Sequence, residues 1–188
     1  MLFKKALLIV AILATTASYS LAGEHPCLLF SSSDIDFIRE RIQSGTPQMA
    51  WDELLNHQGA YYLNNCPKTY QYYFDQGWGG LSWTLARHEY NALAKLGFLH
   101  LIVEDPVMAD SFGNKAIECC QDYFEKELDA DNELSVATLI SSFSLCYDYC
   151  YDLMSDSLRQ AFRDTIKREM DSLVSRWKDR VYGYCLIP

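Results

Sequence analysis

Two cysteines recur one helical turn apart in the segment 145–159, which reads LCYDYCYDLMSDSLR. Cys146 and Cys150 could ligate a metal ion, since thiolates are common zinc ligands. A structural zinc site also needs further Cys or His ligands nearby, and this stretch of the sequence offers no such companion. Cysteine is among the residues most often buried, so we predict that both thiols pack in a helical core.

Asp148 and Asp152 have the same spacing, and two carboxylates one turn apart could share a proton or hold a sugar hydroxyl. They could equally satisfy polar groups inside a helical bundle. We favour the structural interpretation and predict that the aspartates pair with arginines of a neighbouring helix, such as Arg159 or Arg163.

A second candidate site surrounds His88. Arg87 precedes it, and Trp78 and Trp83 lie a few residues earlier. Aromatic faces stack on sugar rings and Arg and His pair with carboxylates, so these residues would suit an acidic sugar. The alternative is a core histidine held by one hydrogen bond.

The sequence contains no nucleophile elbow, phosphate-binding glycine loop or H-E-x-x-H motif. We therefore assign no catalytic residue, no metal ligand and no cofactor. The candidate substrate-binding residues are Trp78, Trp83, Arg87 and His88.

The elements that must position these side chains are predicted to be helices. Ser33 is a suitable N-cap for a first helix, and Thr46-Pro47 combines an N-cap with a proline at the first helical position. The range 64–80, rich in aromatic residues and glycine, is the longest irregular segment.

The second half of the chain continues the helical pattern. Apolar residues step by three and four through 81–103, Asp105-Pro106 restarts the chain, and a fifth helix covers about 133–153. Ser155 caps a sixth. The predicted fold class is all-α, built from antiparallel helical hairpins.

Residues 1–22 are predicted to be a signal peptide. Lys4 and Lys5 precede a short apolar run, and Ser20-Leu21-Ala22 has the small-x-small pattern of a cleavage site. The remaining range, 23–188, is predicted to be a single α-helical domain of a periplasmic or secreted protein. No later segment is apolar for long enough to suggest a membrane span.

The net charge limits the classes of binding partner, and the cysteine count limits the disulfides. The formal net charge of −9 argues against nucleic-acid binding, which needs clustered cations. The seven cysteines are an odd number, so a monomer keeps at least one thiol outside any disulfide. The basic residues of the last helix are interspersed with acids and indicate a solvated face: Arg159, Arg163, Lys167, Arg168, Arg176, Lys178 and Arg180.

Three segments, taken in order, resemble the N-terminal helical domain of heparinase II/III-like and oligo-alginate polysaccharide lyases. The first is His25-Pro26-Cys27-Leu28-Leu29-Phe30 with Arg39 and Trp51 following. The second is Ala92-Leu93-Ala94-Lys95-Leu96-Gly97, running to Glu104-Asp105 and Lys115-Ala116. The third is Tyr147-Asp148 and Tyr151-Asp152, followed by Ser155 and Arg159.

The resemblance implies an incomplete (α/α) toroid and β-elimination on a uronic-acid polysaccharide, with no redox cofactor. In that family the catalytic Asn/His and Tyr follow these segments, and this chain stops about where they would begin. Cys27 also stands where the family usually has Arg. We therefore expect an N-terminal portion that is inactive alone, without the remaining toroid helices and the β-sandwich.

Two other functions remain open at this stage. One set of residues has offsets similar to those of a tetratricopeptide repeat, although the pattern does not recur 34 residues further on: Leu93, Leu96, Gly97, Ala109 and Ala116. A non-catalytic carbohydrate-binding remnant is the other alternative. An open toroid would expose apolar helix faces, so self-association is also expected.

Overall fold

The computed structural model describes residues 25–65, 83–124 and 133–185. Within these ranges the chain is mostly helical and has no β-strand, which confirms the all-α fold class. The predicted signal peptide, 1–22, lies outside the described residues. None of the helices in these ranges is both long and apolar enough to cross a membrane.

Seven α-helices follow one another in the described ranges. They are α1 (Ser32–Arg41), α2 (Gly45–Asp52), α3 (Ala60–Asn65), α4 (Trp83–Ile102), α5 (Pro106–Gln121), α6 (Glu133–Tyr149) and α7 (Asp156–Cys185). A π-helical stretch, Glu53–Gly59, joins α2 to α3, and a 3-10 turn, Tyr151–Leu153, lies between α6 and α7.

The start of α1 is set by a capping box. Ser31 is the N-cap, and its backbone N–H donates to the Asp34 carboxylate at 2.8 Å. The sequence prediction placed the cap at Ser33, which is wrong by two residues. Ser31 takes the role because Asp34 lies three residues beyond it, as the reciprocal pattern requires. The hydrogen bonds from Ser31 lower the pKa of Asp34.

The start of α2 also differs from the prediction. Ser44 is the N-cap and Pro47 is the third helical residue, whereas Thr46 was predicted as the cap. Gly45 has a φ of +67°, in the left-handed region that favours glycine, which lets the chain turn into the helix two residues earlier than predicted.

The start of α5 is as predicted. Asp105 is the N-cap, and its carboxylate accepts hydrogen bonds from the backbone N–H groups of Val107 and Met108 at 2.9 and 3.0 Å. Pro106 occupies the first helical position, where the absence of an N–H costs no hydrogen bond.

Helix α4 forms the centre of the core and packs against both α5 and α6, while α7 packs against α6. The predicted apolar stripe of α4 is confirmed for the part whose side chains are described. The predicted members Ala92, Leu96 and Leu99 are buried, as is Val103 directly after the helix. Leu93 and Ile102, which were not predicted, are buried as well. At Gly97 a Cβ would lie 3.0 Å from Cδ2 of Tyr149, so the absence of a side chain on this residue favours the close approach of α4 and α6.

Candidate functional site

Asp148 lies at the centre of a buried polar cluster. Its side chain is 1% exposed in the last turn of α6, and both carboxylate oxygens accept the backbone N–H of Cys27 at 2.9 Å. Oδ2 also accepts the backbone N–H of Leu28 at 3.0 Å. A buried carboxylate is costly unless hydrogen-bonded, and here the irregular segment before α1 supplies the donors.

His25 completes the bonding of this carboxylate. Its Nδ1 donates to Oδ1 of Asp148 at 2.6 Å, and the His25 side chain is only 7% exposed. The imidazole stacks on the ring of Tyr151 with centroids 3.9 Å apart, and its edge meets Tyr147 at 5.8 Å. The ring is therefore held by both a charged hydrogen bond and aromatic contacts.

The Cys27 side chain lies on the solvent side of the same cluster. Its Sγ is 3.3 Å from Oδ1 of Asp148 and 4.0 Å from Nδ1 of His25. A nucleophile–base–carboxylate relay needs the thiol and the carboxylate on different nitrogens of the imidazole. Here both face Nδ1, so these three residues do not form such a relay.

His25, Cys27 and Asp148 are also the one group in the described ranges whose donor atoms lie close enough together to hold a metal ion. The ligand atoms are all within 4.8 Å of one another. We refer to these three residues as the Asp148 cluster.

The predicted arginine partners of the aspartates are corrected by the structure. Asp148 bonds to the segment before α1, and Asp152 is exposed on the 3-10 turn. Arg159 instead donates two hydrogen bonds to the Tyr151 carbonyl, from Nε at 3.2 Å and Nη2 at 3.0 Å. Arg163 donates to the hydroxyl of Tyr147 at 3.1 Å.

The end of α6 explains this difference. The helix was predicted to continue to about Leu153 but ends at Tyr149, and the following residues form the 3-10 turn. Asp152 therefore no longer lies one α-helical turn beyond Asp148, and the two carboxylates face different surroundings.

The thiols of Cys146 and Cys150 are fully buried, which confirms that they pack in the core. Burial raises the pKa of Cys146 well above its ordinary value. The hydrogen bond with Cys146, together with burial, does the same for the pKa of Cys150. Protonated buried thiols are poor nucleophiles and poor metal ligands.

Arg39 joins α1 to the end of α4. Its Nη2 donates to the carbonyl of Leu101 at 3.0 Å and its Nε to that of Ile102 at 3.1 Å. The last carbonyls of a helix lack intrahelical partners, so the guanidinium satisfies groups that would otherwise need water.

Lys167 and Arg168 of α7 form contacts within the chain. Lys167 pairs with Asp171, and Arg168 pairs with Glu169 and donates to the Phe124 carbonyl at 2.8 Å. The prediction that the basic residues of this helix form a solvated face rather than a polyanion site stays a prediction.

The predicted substrate-binding residues are not brought together by any described contact. Trp78 lies outside the described residues. Trp83, Arg87 and His88 lie in the first two turns of α4, where the backbone is described but the side chains are not. Their role, and the predicted burial of His88, remain predictions.

Sequence reasoning did not identify His25 and Cys27 as partners of Asp148. The separations of 121 to 123 residues leave no periodic signal in the sequence. The only sequence feature that linked them was the family resemblance, because His25 and Cys27 lie in its first segment and Asp148 in its third. Comparisons with protein-family models, curated proteins and solved structures find no match to this chain.

Proposed function

We propose that this chain is the N-terminal helical portion of an exported polysaccharide lyase-like protein that acts on uronic-acid polysaccharides by β-elimination. The helices α1–α7 would form part of an open (α/α) toroid. On this proposal the described residues build the scaffold of the substrate groove, and none of them is assigned to the chemical step.

The observation that supports the proposal is that the residues carrying the resemblance contact one another. Asp148 of the third segment binds the backbone of the first segment at Cys27 and Leu28. Arg39, which follows the first segment, binds the carbonyls that end α4, in the second. These contacts hold segments of the chain together rather than facing a ligand, as expected for residues of a scaffold.

The proposed substrate contacts lie at the start of α4 and in the range before it. Arg87 and His88 would pair with a uronate carboxylate, and Trp78 and Trp83 would stack on sugar rings. In β-elimination, neutralising this carboxylate lowers the cost of removing the adjacent C5 proton. A base must take that proton and an acid must protonate the leaving oxygen.

Binding and turnover can be measured separately on the purified chain. We expect alginate, heparan sulfate or chondroitin oligosaccharides to bind in calorimetry, and neutral cello-oligosaccharides not to bind. The same mixtures should show no increase in absorbance from unsaturated product. Arg87→Gln should weaken binding about tenfold, the value of one charge-assisted hydrogen bond. Lys167→Gln, which removes an exposed cation on α7, should leave binding unchanged.

Each other outcome contradicts a stated part of the proposal. Robust turnover would show that the chain is active alone. Binding of proteins or peptides without any uronate binding would favour a helical-repeat interaction module. Uronate binding that Arg87→Gln leaves unchanged would place the carbohydrate contacts elsewhere on the chain.

A further inference from the structure

We propose that the Asp148 cluster is a binding site for a single divalent transition-metal ion, with Zn²⁺ the best match to its donors. This revises the assignment from sequence, which found no metal ligand. The inference does not depend on the lyase proposal, because it rests only on the geometry of His25, Cys27 and Asp148.

The donor types fit a borderline-soft divalent cation. The cluster offers one imidazole nitrogen, one thiol sulfur and one carboxylate oxygen, the three ligand types that zinc uses in proteins. A thiolate and a carboxylate together balance the two positive charges of the ion. Hard cations such as Mg²⁺ and Ca²⁺ prefer oxygen ligands alone, so this set discriminates against them.

The separations of the donor atoms are close to those of a tetrahedral site. Zinc bonds of about 2.0–2.3 Å imply ligand separations of about 3.3–3.6 Å at tetrahedral angles. The Sγ–Oδ1 distance is 3.3 Å and the Sγ–Nδ1 distance is 4.0 Å. The Nδ1–Oδ1 distance is 2.6 Å, the length of a hydrogen bond, and this pair would have to open when an ion replaces the shared proton.

Protons balance in this exchange. On binding, the ion displaces the thiol proton of Cys27, which passes to solvent. The proton on Nδ1 of a neutral His25 is replaced by one on Nε2, so the imidazole stays neutral. No oxidant or reductant is needed, and the ion keeps its charge.

The surroundings of the cluster support its use as a site. The backbone N–H groups of Cys27 and Leu28 orient the Asp148 carboxylate, as partners of metal-binding carboxylates commonly do. Stacking on Tyr151 fixes the imidazole. Cys27 is exposed, so an ion could enter from solvent and a water could take the fourth position.

The thiol distinguishes this cluster from a purely structural anchor. The anchoring of the segment before α1 uses the backbone N–H groups and His25, and any residue at position 27 other than proline would supply the same N–H. Cys27 adds a third ligand atom directed at the same carboxylate oxygen. Its replacement therefore separates the two roles.

The test uses the full chain, stripped of metal with EDTA and titrated with Zn²⁺ against a chromogenic chelator. We expect one equivalent to bind. Co²⁺ should give the charge-transfer absorption of a thiolate ligand. Cys27→Ser keeps the backbone N–H and should retain the circular dichroism spectrum. It should weaken Zn²⁺ binding by at least about 10–100-fold, the loss typical when even an outer partner of a metal ligand is removed.

Cys119→Ser is the matched control, because it removes a partly exposed thiol outside the cluster and should change neither readout. The proposal is overturned if the folded wild-type chain binds no stoichiometric Zn²⁺. It is equally overturned if Cys27→Ser binds as tightly as the wild type, or if the Co²⁺ charge-transfer band survives in Cys27→Ser.

Discussion

The repeated triplets Cys146-Tyr147-Asp148 and Cys150-Tyr151-Asp152 have the same residue types but different environments. Both cysteines are buried in the core. Asp148 is buried and holds the segment before α1, whereas Asp152 is exposed on a 3-10 turn. The comparison shows that a side chain's role here is set by where the helix ends and by which distant segment packs on it.

The largest difference in the free energy of unfolding is expected between substitutions of Asp148 and of Asp152. Asp148→Asn would place an amide N–H₂ against backbone N–H donors and remove the negative charge of the carboxylate that accepts their hydrogen bonds. We therefore expect a loss of about 3 kcal/mol in the free energy of unfolding. Asp152→Asn, the matched control, should stay within about 0.5 kcal/mol. Urea unfolding followed by circular dichroism measures both, and equal effects would show that the two triplets are energetically equivalent.

A second contrast concerns His25, which forms a hydrogen bond with Asp148 of the first triplet. His25→Ala removes the 2.6 Å hydrogen bond to Asp148 and the stack on Tyr151, so we expect a loss of about 2 kcal/mol. His57→Ala alters an exposed histidine of the π-helical stretch and should cost about 0.5 kcal/mol or less. If thermal unfolding showed the same midpoint for both variants, His25 would not contribute to the anchor.

Tyr149 ends α6 between the two triplets and packs against Gly97 of α4. A substitution at Gly97 should have a smaller effect on the free energy of unfolding. An alanine Cβ at Gly97 would lie 3.0 Å from Cδ2 and 3.2 Å from Cβ of Tyr149, so Gly97→Ala should cost about 1–2 kcal/mol through overpacking. The cost should fall when Tyr149 is also replaced by alanine, because the clash is then relieved. An unchanged cost in the double variant would place the strain elsewhere.

The smallest contrast lies between thiols and involves no change in stability. Because the pKa values of Cys146 and Cys150 are raised, their reactive thiolate forms are scarce at neutral pH, and burial blocks access as well. Exposed Cys27 should react with iodoacetamide in the native, EDTA-treated protein, while the two buried thiols should react only after unfolding. Peptide mass spectrometry resolves the sites, and rapid native labelling of Cys146 would contradict the packed core.

The sequence predicted those features that depend on neighbouring residues. The Asp105-Pro106 start of α5 and the buried stripe of α4 follow from local capping and periodicity, and the structure has both. The starts of α1 and α2 were both predicted two residues late because several serines and threonines compete as caps there.

The features that depend on distant contacts could not be predicted. The end of α6 at Tyr149 was missed because Cys146, Cys150 and Leu153 keep an α-helical spacing in the sequence across the point where the 3-10 turn begins. The bonds from His25 and Cys27 to Asp148 join residues more than a hundred positions apart, and neither helix periodicity nor capping encodes such a pair.

The central claim is that Asp148 anchors the segment before α1 to α6. Amide hydrogen exchange followed by NMR tests it most directly, because the N–H groups of Cys27 and Leu28 lie outside any helix and are bonded to this carboxylate. We predict that both amides are protected in the wild type and in Asp152→Asn, and lose protection in Asp148→Asn. Exchange at unprotected rates in the wild type would contradict the account.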